Sequence, residues 1–153
     1  MSTKHVHPIP QIVAHRGASS QAPENTQSAI ELAWQQAADA VEIDVRLTRD
    51  RQIVAIHDAD TNRTSDRALV VAETDYDALS RIDVGSWKEA AYRGERVPQL
   101  CEILSSLPEA KKLLIELKCG EEILDPLCRV LTRCEDRQDR LVIIGFDASL
   151  VSL

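Results

Sequence analysis

Seven side chains able to move protons, hold cations or grip anions stand within or at the ends of apolar runs. His15 and Arg16 close "QIVAH", Glu42 and Asp44 lie in "AVEIDVRLT", His57 ends "QIVAIH", and Glu116 and Lys118 end "KKLLIELK". Residues two apart on a strand share a face at a separation of about 6.6 Å. Glu42 therefore points with Asp44, and Glu116 points with Lys118. Three carboxylates on two strands make an all-oxygen donor set suited to one hard divalent cation, Mg²⁺ or Ca²⁺. A solvated strand face also accounts for Glu42 and Asp44, and a buried pair with Lys118 accounts for Glu116. A carboxylate inside an apolar run is costly unless it is paired or metal-bound, which gives Glu116 its weight.

Histidine suits proton transfer near neutral pH, so His15 and His57 are acid–base candidates. A hydrogen-bonded core histidine is the plainer account of either one taken alone. Arg16 can grip a phosphate through two donors, and Lys118 adds a second positive charge. Together these residues outline a phosphoester site. No G-x-x-x-x-G-K-[ST] loop is present, which argues against nucleoside triphosphate chemistry.

The elements that must position these groups follow from hydrophobic periodicity. Strands are expected at 11–15, 40–48, 52–57, 111–118 and 140–146, and helices at 24–38, 99–107 and 120–134, the last interrupted near Pro126. Asn25 or Thr26 is the expected cap of the first helix. The order is β-α-β-β-(irregular)-α-β-α-β, which predicts an α/β fold with a parallel sheet. The three polar residues between strands 40–48 and 52–57 predict a hairpin, at odds with a simple barrel. Residues 58–97 form a long irregular stretch, too long for a plain connection, with a short helix expected at 74–82.

Composition narrows the partners. The chain has 153 residues, 44% hydrophobic and 28% charged, with 25 acidic against 18 basic side chains and a net charge of −7. That charge and the lack of a basic stripe exclude a nucleic-acid surface but not a local anion site. No apolar run is long enough to span a membrane. Cys101, Cys119, Cys128 and Cys134 lack C-x-x-C spacing, so free thiols are expected. The N-terminal "MSTKHVHPIP" has no apolar core of a secretory signal, and cytoplasm is the expected compartment. A metal site at His5 and His7 is disfavoured in a polar tail. Cys119 is expected to point away from the site, and Trp87 and Tyr92 to pack the long segment.

"HRG" followed by "PENT", then "EIDVRLTRD", "AIHDADTNRTSD", "GERVPQL" and "LLIELK", in this order from about Ile12 to Phe146, resembles the glycerophosphodiester phosphodiesterase family. The resemblance implies a TIM-barrel-like enzyme that hydrolyses glycerophosphodiesters to glycerol 3-phosphate and an alcohol. It implies acid–base roles for His15 and His57, and a single divalent cation, Ca²⁺ or Mg²⁺, on Glu42, Asp44 and Glu116. Phosphate binding falls to Arg16 and Lys118, and residues 58–97 become the inserted segment over the glycerol end of a small-molecule substrate. On this basis 1–153 is one domain lacking the C-terminal strands of the family, since a TIM barrel takes about 250 residues and eight strands. Three expectations follow: part of a full enzyme, a barrel completed by a second copy, or a non-catalytic remnant that binds a metal, a phosphoester or a partner.

Overall fold

The structure, a computed structural model, describes residues 10–147, so His5 and His7 lie outside the described residues. Its elements are β1 (Val13–His15), α1 (Gln27–Gln35), β2 (Ala40–Leu47), β3 (Ile53–Ala55), α2 (Tyr76–Leu79), α3 (Leu100–Ser105), β4 (Lys112–Leu117), α4 (Leu124–Thr132) and β5 (Leu141–Ile144). One sheet holds all five strands. The parallel strands run in the order β1-β2-β4-β5, the sequential order of a barrel wall.

β3 explains the hairpin. It pairs antiparallel with β2 through Val45↔Ala55 and Leu47↔Ile53, whereas β1 pairs parallel with residues 40–42 of the same strand. Both strands therefore use one edge of β2, β1 below and β3 above. The turn between β2 and β3 is tied by Thr48, whose hydroxyl donates to Asp50 Oδ1 at 2.6 Å and accepts from Gln52 N at 2.9 Å. β3 is thus an extra strand laid where β1 stops, and it displaces no parallel neighbour.

The outer face of the sheet is sealed. Val41, Ile43, Val45 and Leu47 of β2 and Leu113, Ile115 and Leu117 of β4 pack on Ile30 and Ala33 of α1, Leu100, Ile103 and Leu104 of α3, and Leu127 of α4. Residues 58–97 build a second core. Val71, Leu79, Ile82, Val84 and Val97 gather on Val54 and Ile56, the residues of alternate parity at β3. The segment that reads as irregular is thereby a packed unit anchored on one face of a strand, with Val54 and Ala55 serving the two cores.

Local chemistry sets the helix ends. Thr26, not Asn25, caps α1: its hydroxyl accepts from Ala29 N. Gln99 and Glu102 form a reciprocal capping box at the start of α3. The interruption falls just before Pro126: Glu121–Ile123 form a 3₁₀ turn, and α4 then runs unbroken through Pro126 from Leu124 to Thr132. Pro126 is the third residue of that helix, where the backbone N–H has no partner within the helix, so its absence costs nothing.

Candidate active site

The register decides which groups meet. His15 pairs with Glu42, and Asp44 pairs with Glu116, so all four lie on the inner face of the sheet. Carboxylate oxygens of Glu42, Asp44 and Glu116 lie within 4.8 Å of one another. Glu42 is 6% exposed and Asp44 is fully buried. Burial, and after it the charge of Asp44, pushes the Glu42 carboxyl above its ordinary pKa. Repulsion of this kind is what a bound cation removes.

Glu42 and Asp44 each have one oxygen in a hydrogen bond and one outside any. Glu42 Oε2 accepts from Arg16 N at 3.0 Å and lies 3.9 Å from His15 Nε2. Asp44 Oδ2 accepts from Asn25 Nδ2 at 2.9 Å and lies 3.1 Å from Arg16 Nε, while Asp44 N donates to Asn25 Oδ1 at 3.0 Å. Glu42 Oε1 and Asp44 Oδ1 are buried without a hydrogen-bond partner. Leaving a buried acceptor unsatisfied costs about 1–3 kcal/mol. Two such atoms, in an all-oxygen set of three carboxylates, fit a hard divalent cation.

Lys118 is the nearest positive charge. Its ammonium donates to Glu116 Oε1 at 2.6 Å and stands 3.4 Å from Asp44 Oδ1. Burial pulls the Lys118 pKa down, but the Glu116 hydrogen bond and the charges of Asp44 and Glu116 outweigh it and hold the group above its ordinary value. The pair with Lys118 expected as the plainer account of Glu116 is therefore present, and it sits inside the carboxylate cluster.

Arg16 is carried on a strained turn. Arg16 and Gly17 both have positive φ, at 57° and 77°. A Cβ at Gly17 would come within 2.6 Å of the Ala29 backbone, so the loop can lie this close to α1 only with glycine. Asn25 also has positive φ, at 58°, and it is the residue that clasps both the backbone and the carboxylate of Asp44. "PENT" is therefore more than a helix start: Thr26 caps, Asn25 holds Asp44, and Glu24 accepts from Arg16 Nη1 at 2.9 Å.

The two histidines are placed differently. The His15 side chain is 69% exposed at the rim beside Glu42. His57 lies two residues past β3, and its ring makes no hydrogen bond or ion pair with the three carboxylates. Its Nδ1 is 2.7 Å from Asp58 Oδ1, so Asp58 engages that side of the ring. Burial pushes Asp58 up, but His57 and Arg63 outweigh it and hold its pKa low.

Two arginines escape the sequence reading. Arg46 donates through Nε to the His57 carbonyl at 2.8 Å and through Nη1 to the Lys118 carbonyl at 2.7 Å. It continues the parity of Glu42 and Asp44, so the alternation could have revealed it. Arg63 links Asp58 to Glu24 and has no periodic signal. The inserted segment is strapped to the β1–α1 loop by Lys88, which donates to the Ser19 carbonyl, and by Tyr92, which donates to the Gln21 carbonyl. Trp87, 40% exposed, donates to the Val84 carbonyl within the segment. Cys119 packs against the outer core, and burial pushes its thiol up.

Comparison with known proteins agrees with this geometry. The model of the glycerophosphoryl diester phosphodiesterase family matches residues 15–144. YhdW of Bacillus subtilis is 48% identical over 107 residues, covering 70% of this chain and 44% of that protein. The phosphodiesterase of Oleispira antarctica, solved with the product sn-glycerol-3-phosphate, matches with a TM-score of 0.86 at 36% identity. A glycerophosphodiester phosphodiesterase of Agrobacterium tumefaciens matches with a TM-score of 0.84 at 32% identity. Each of these structures is matched over 93% of this chain and 60% of its own. The chain therefore carries a five-stranded portion of a TIM-barrel-like fold, and the barrel is incomplete. Matched over most of its length, it belongs to the glycerophosphoryl diester phosphodiesterase family.

Proposed function

We propose that this chain carries the metal- and phosphate-binding half of a phosphodiesterase that hydrolyses glycerophosphodiesters to glycerol 3-phosphate and an alcohol. The carrying observation is the cluster of Glu42, Asp44 and Glu116 within 4.8 Å, two of whose buried oxygens lack a hydrogen-bond partner. Glu42, Asp44 and Glu116 would hold one divalent cation, Mg²⁺ or Ca²⁺. Bound there, it would supply Lewis-acid stabilisation of phosphate charge. Arg16 and Lys118 flank the cluster and bind the remaining phosphate oxygens.

The chain's own residues then move protons. One histidine takes the proton of the attacking glycerol hydroxyl as its oxygen bonds to phosphorus. The other protonates the alcohol oxygen as the P–O bond breaks. Water opens the resulting cyclic phosphate with the two roles exchanged. Asp58 holds Nδ1 of His57, so His57 acts through Nε2; His15 acts from the rim beside Glu42. We read residues 1–153 as one domain of this family with 58–97 as its inserted segment, and the four free thiols support a cytoplasmic setting.

A second reading rests on the inner face below the site, where Val13 and Val142 remain 44% and 42% exposed. There the chain binds metal or phosphoester without turning over, or a second copy completes the wall. Assay of the purified chain on glycerophosphocholine and glycerophosphoethanolamine with Mg²⁺ or Ca²⁺, alongside its solution mass, separates these outcomes. Glycerol 3-phosphate release that Asp44→Ala abolishes supports the enzyme reading. A folded, cation-binding chain with no release leaves the binding reading.

A further inference from the structure

We propose that Arg63, in the inserted segment, is a positioning residue that sets the orientation of the proton-transfer group His57 and of the phosphate ligand Arg16 at once. The proposal rests on the functional reading above for the roles of those two residues. Its geometry stands independently.

Arg63 uses all three of its nitrogens. Nε donates to Asp58 Oδ2 at 2.7 Å, Nη1 to Glu24 Oε2 at 2.8 Å and Nη2 to Glu24 Oε1 at 2.8 Å. The guanidinium is planar and its donors are fixed relative to one another, so this fork sets the distance and tilt between the two carboxylates. Each carboxylate also reaches the site. Asp58 Oδ1 meets His57 Nδ1 at 2.7 Å, and Glu24 Oε1 accepts from Arg16 Nη1 at 2.9 Å. Arg16 in turn places Nε 3.1 Å from Asp44 Oδ2. A continuous chain of alternating charge therefore runs His57–Asp58–Arg63–Glu24–Arg16–Asp44.

Burial does not explain this arrangement. The Arg63 side chain is 45% exposed, against 14% for Glu24 and 31% for Asp58, so the guanidinium bridges them from the rim rather than from the core. Orientation does explain it. Arg63 itself is held: Thr61 and Thr64 on either side are buried, Thr64 N donates to the Thr61 carbonyl at 3.2 Å, and Thr61 N donates to the Leu69 carbonyl at 3.0 Å. The Thr61 hydroxyl also bonds the Arg67 carbonyl. The second core thus delivers a rigid guanidinium to a gap between two carboxylates that carry the site's polar groups. Without it Glu24 keeps only Arg16 and Asp58 only His57, and no cation bridges the two carboxylates across the gap.

Two readouts that do not need turnover test this. The first is the tautomer of the His57 ring, from imidazole ¹⁵N shifts assigned with His57→Gln. The second is affinity for inorganic phosphate in the presence of Mg²⁺. Arg63→Gln is expected to mix the His57 tautomers and to weaken phosphate binding about tenfold, the scale of lost outer-shell support. Asp58→Asn should move chiefly the tautomer, and Glu24→Gln chiefly the phosphate affinity. Arg63→Lys keeps the charge without the fork and should repair neither fully. A folded Arg63→Gln chain that keeps both readouts within twofold of the parent overturns the proposal, as does full rescue by Arg63→Lys. A parent chain that binds phosphate but hydrolyses nothing counts against the enzyme reading and leaves this test intact.

Discussion

β2 has two faces that solve opposite problems. On the outer face Val41, Ile43 and Val45 are fully buried among α1, α3 and α4. On the inner face, one residue out of step, Glu42 and Asp44 are almost as buried, with open oxygens and like charge. Burying an apolar side chain contributes about 1.5–3 kcal/mol, whereas a buried carboxylate costs stability unless it is paired. The strand thus spends on one face what it gains on the other. The difference teaches where the binding potential lies: in groups the fold holds against their own preference.

The largest expected effect comes from breaking the sealed face. Ile43→Ala removes a fully buried side chain at the centre of the outer core. It should cost about 2–5 kcal/mol in urea or thermal unfolding. A loss under about 1 kcal/mol, on the scale of a surface substitution, would mean that the helices do not seal this face as described.

The same alternation explains what the sequence made legible. Glu42, Asp44 and Glu116 interrupt strongly apolar strands, so the face shared by Glu42 and Asp44 follows from the alternation, while Glu116 joins them only through the register of β2 and β4. The hairpin was legible from its short turn, though its consequence, two strands sharing one edge of β2, needed the register. Pro126 misled only in place, because a proline in the first turn of a helix looks the same in sequence as one in its interior. The core of 58–97 was hidden because its apolar residues are widely spaced and meet only on Val54 and Ile56. Arg63 was illegible for a related reason: it joins Asp58 of its own segment to Glu24 of the β1–α1 loop, 39 residues away, with no periodic signal.

The inner face can be sharpened by pH. The raised pKa of Glu42 means the fold prefers its protonated form. Its contribution is therefore full below the ordinary carboxylate range and is lost as pH rises through the raised pKa. Glu24 and Asp58, held low by Arg63 and their other partners, behave in the opposite sense and lose their contribution as pH falls. Glu42→Gln isolates the first term. In EDTA the variant should match the parent near pH 4 and exceed it at pH 7.5. On the proposed cation site Mg²⁺ should reverse the order, because the variant has lost one of the three carboxylate ligands. Denaturation midpoints at the two pH values, with and without Mg²⁺, check this. A Glu42→Gln advantage that shrinks as pH rises would sink the assignment of burial and Asp44 as the cause.

The smallest effect belongs to the lower inner face, where Val13 and Val142 lie on the same side of the sheet as the carboxylates and remain partly exposed. Val142 pairs with the half-buried Leu114, and β5 is the outermost strand of the sheet. In a lone chain Val142→Ser removes little buried surface, so unfolding should change by no more than about 0.5–1 kcal/mol, the range of a strand-surface substitution. Covered by a second copy, the same substitution would place a hydroxyl in an apolar contact. Its cost would then grow with protein concentration, and the solution mass would fall toward that of one chain. The measurement is unfolding at two concentrations a hundredfold apart, with the mass of each sample. A small, concentration-independent change means the polar upper layer is braced by its own loops alone. A concentration-dependent one means the site's lower wall is supplied from another molecule.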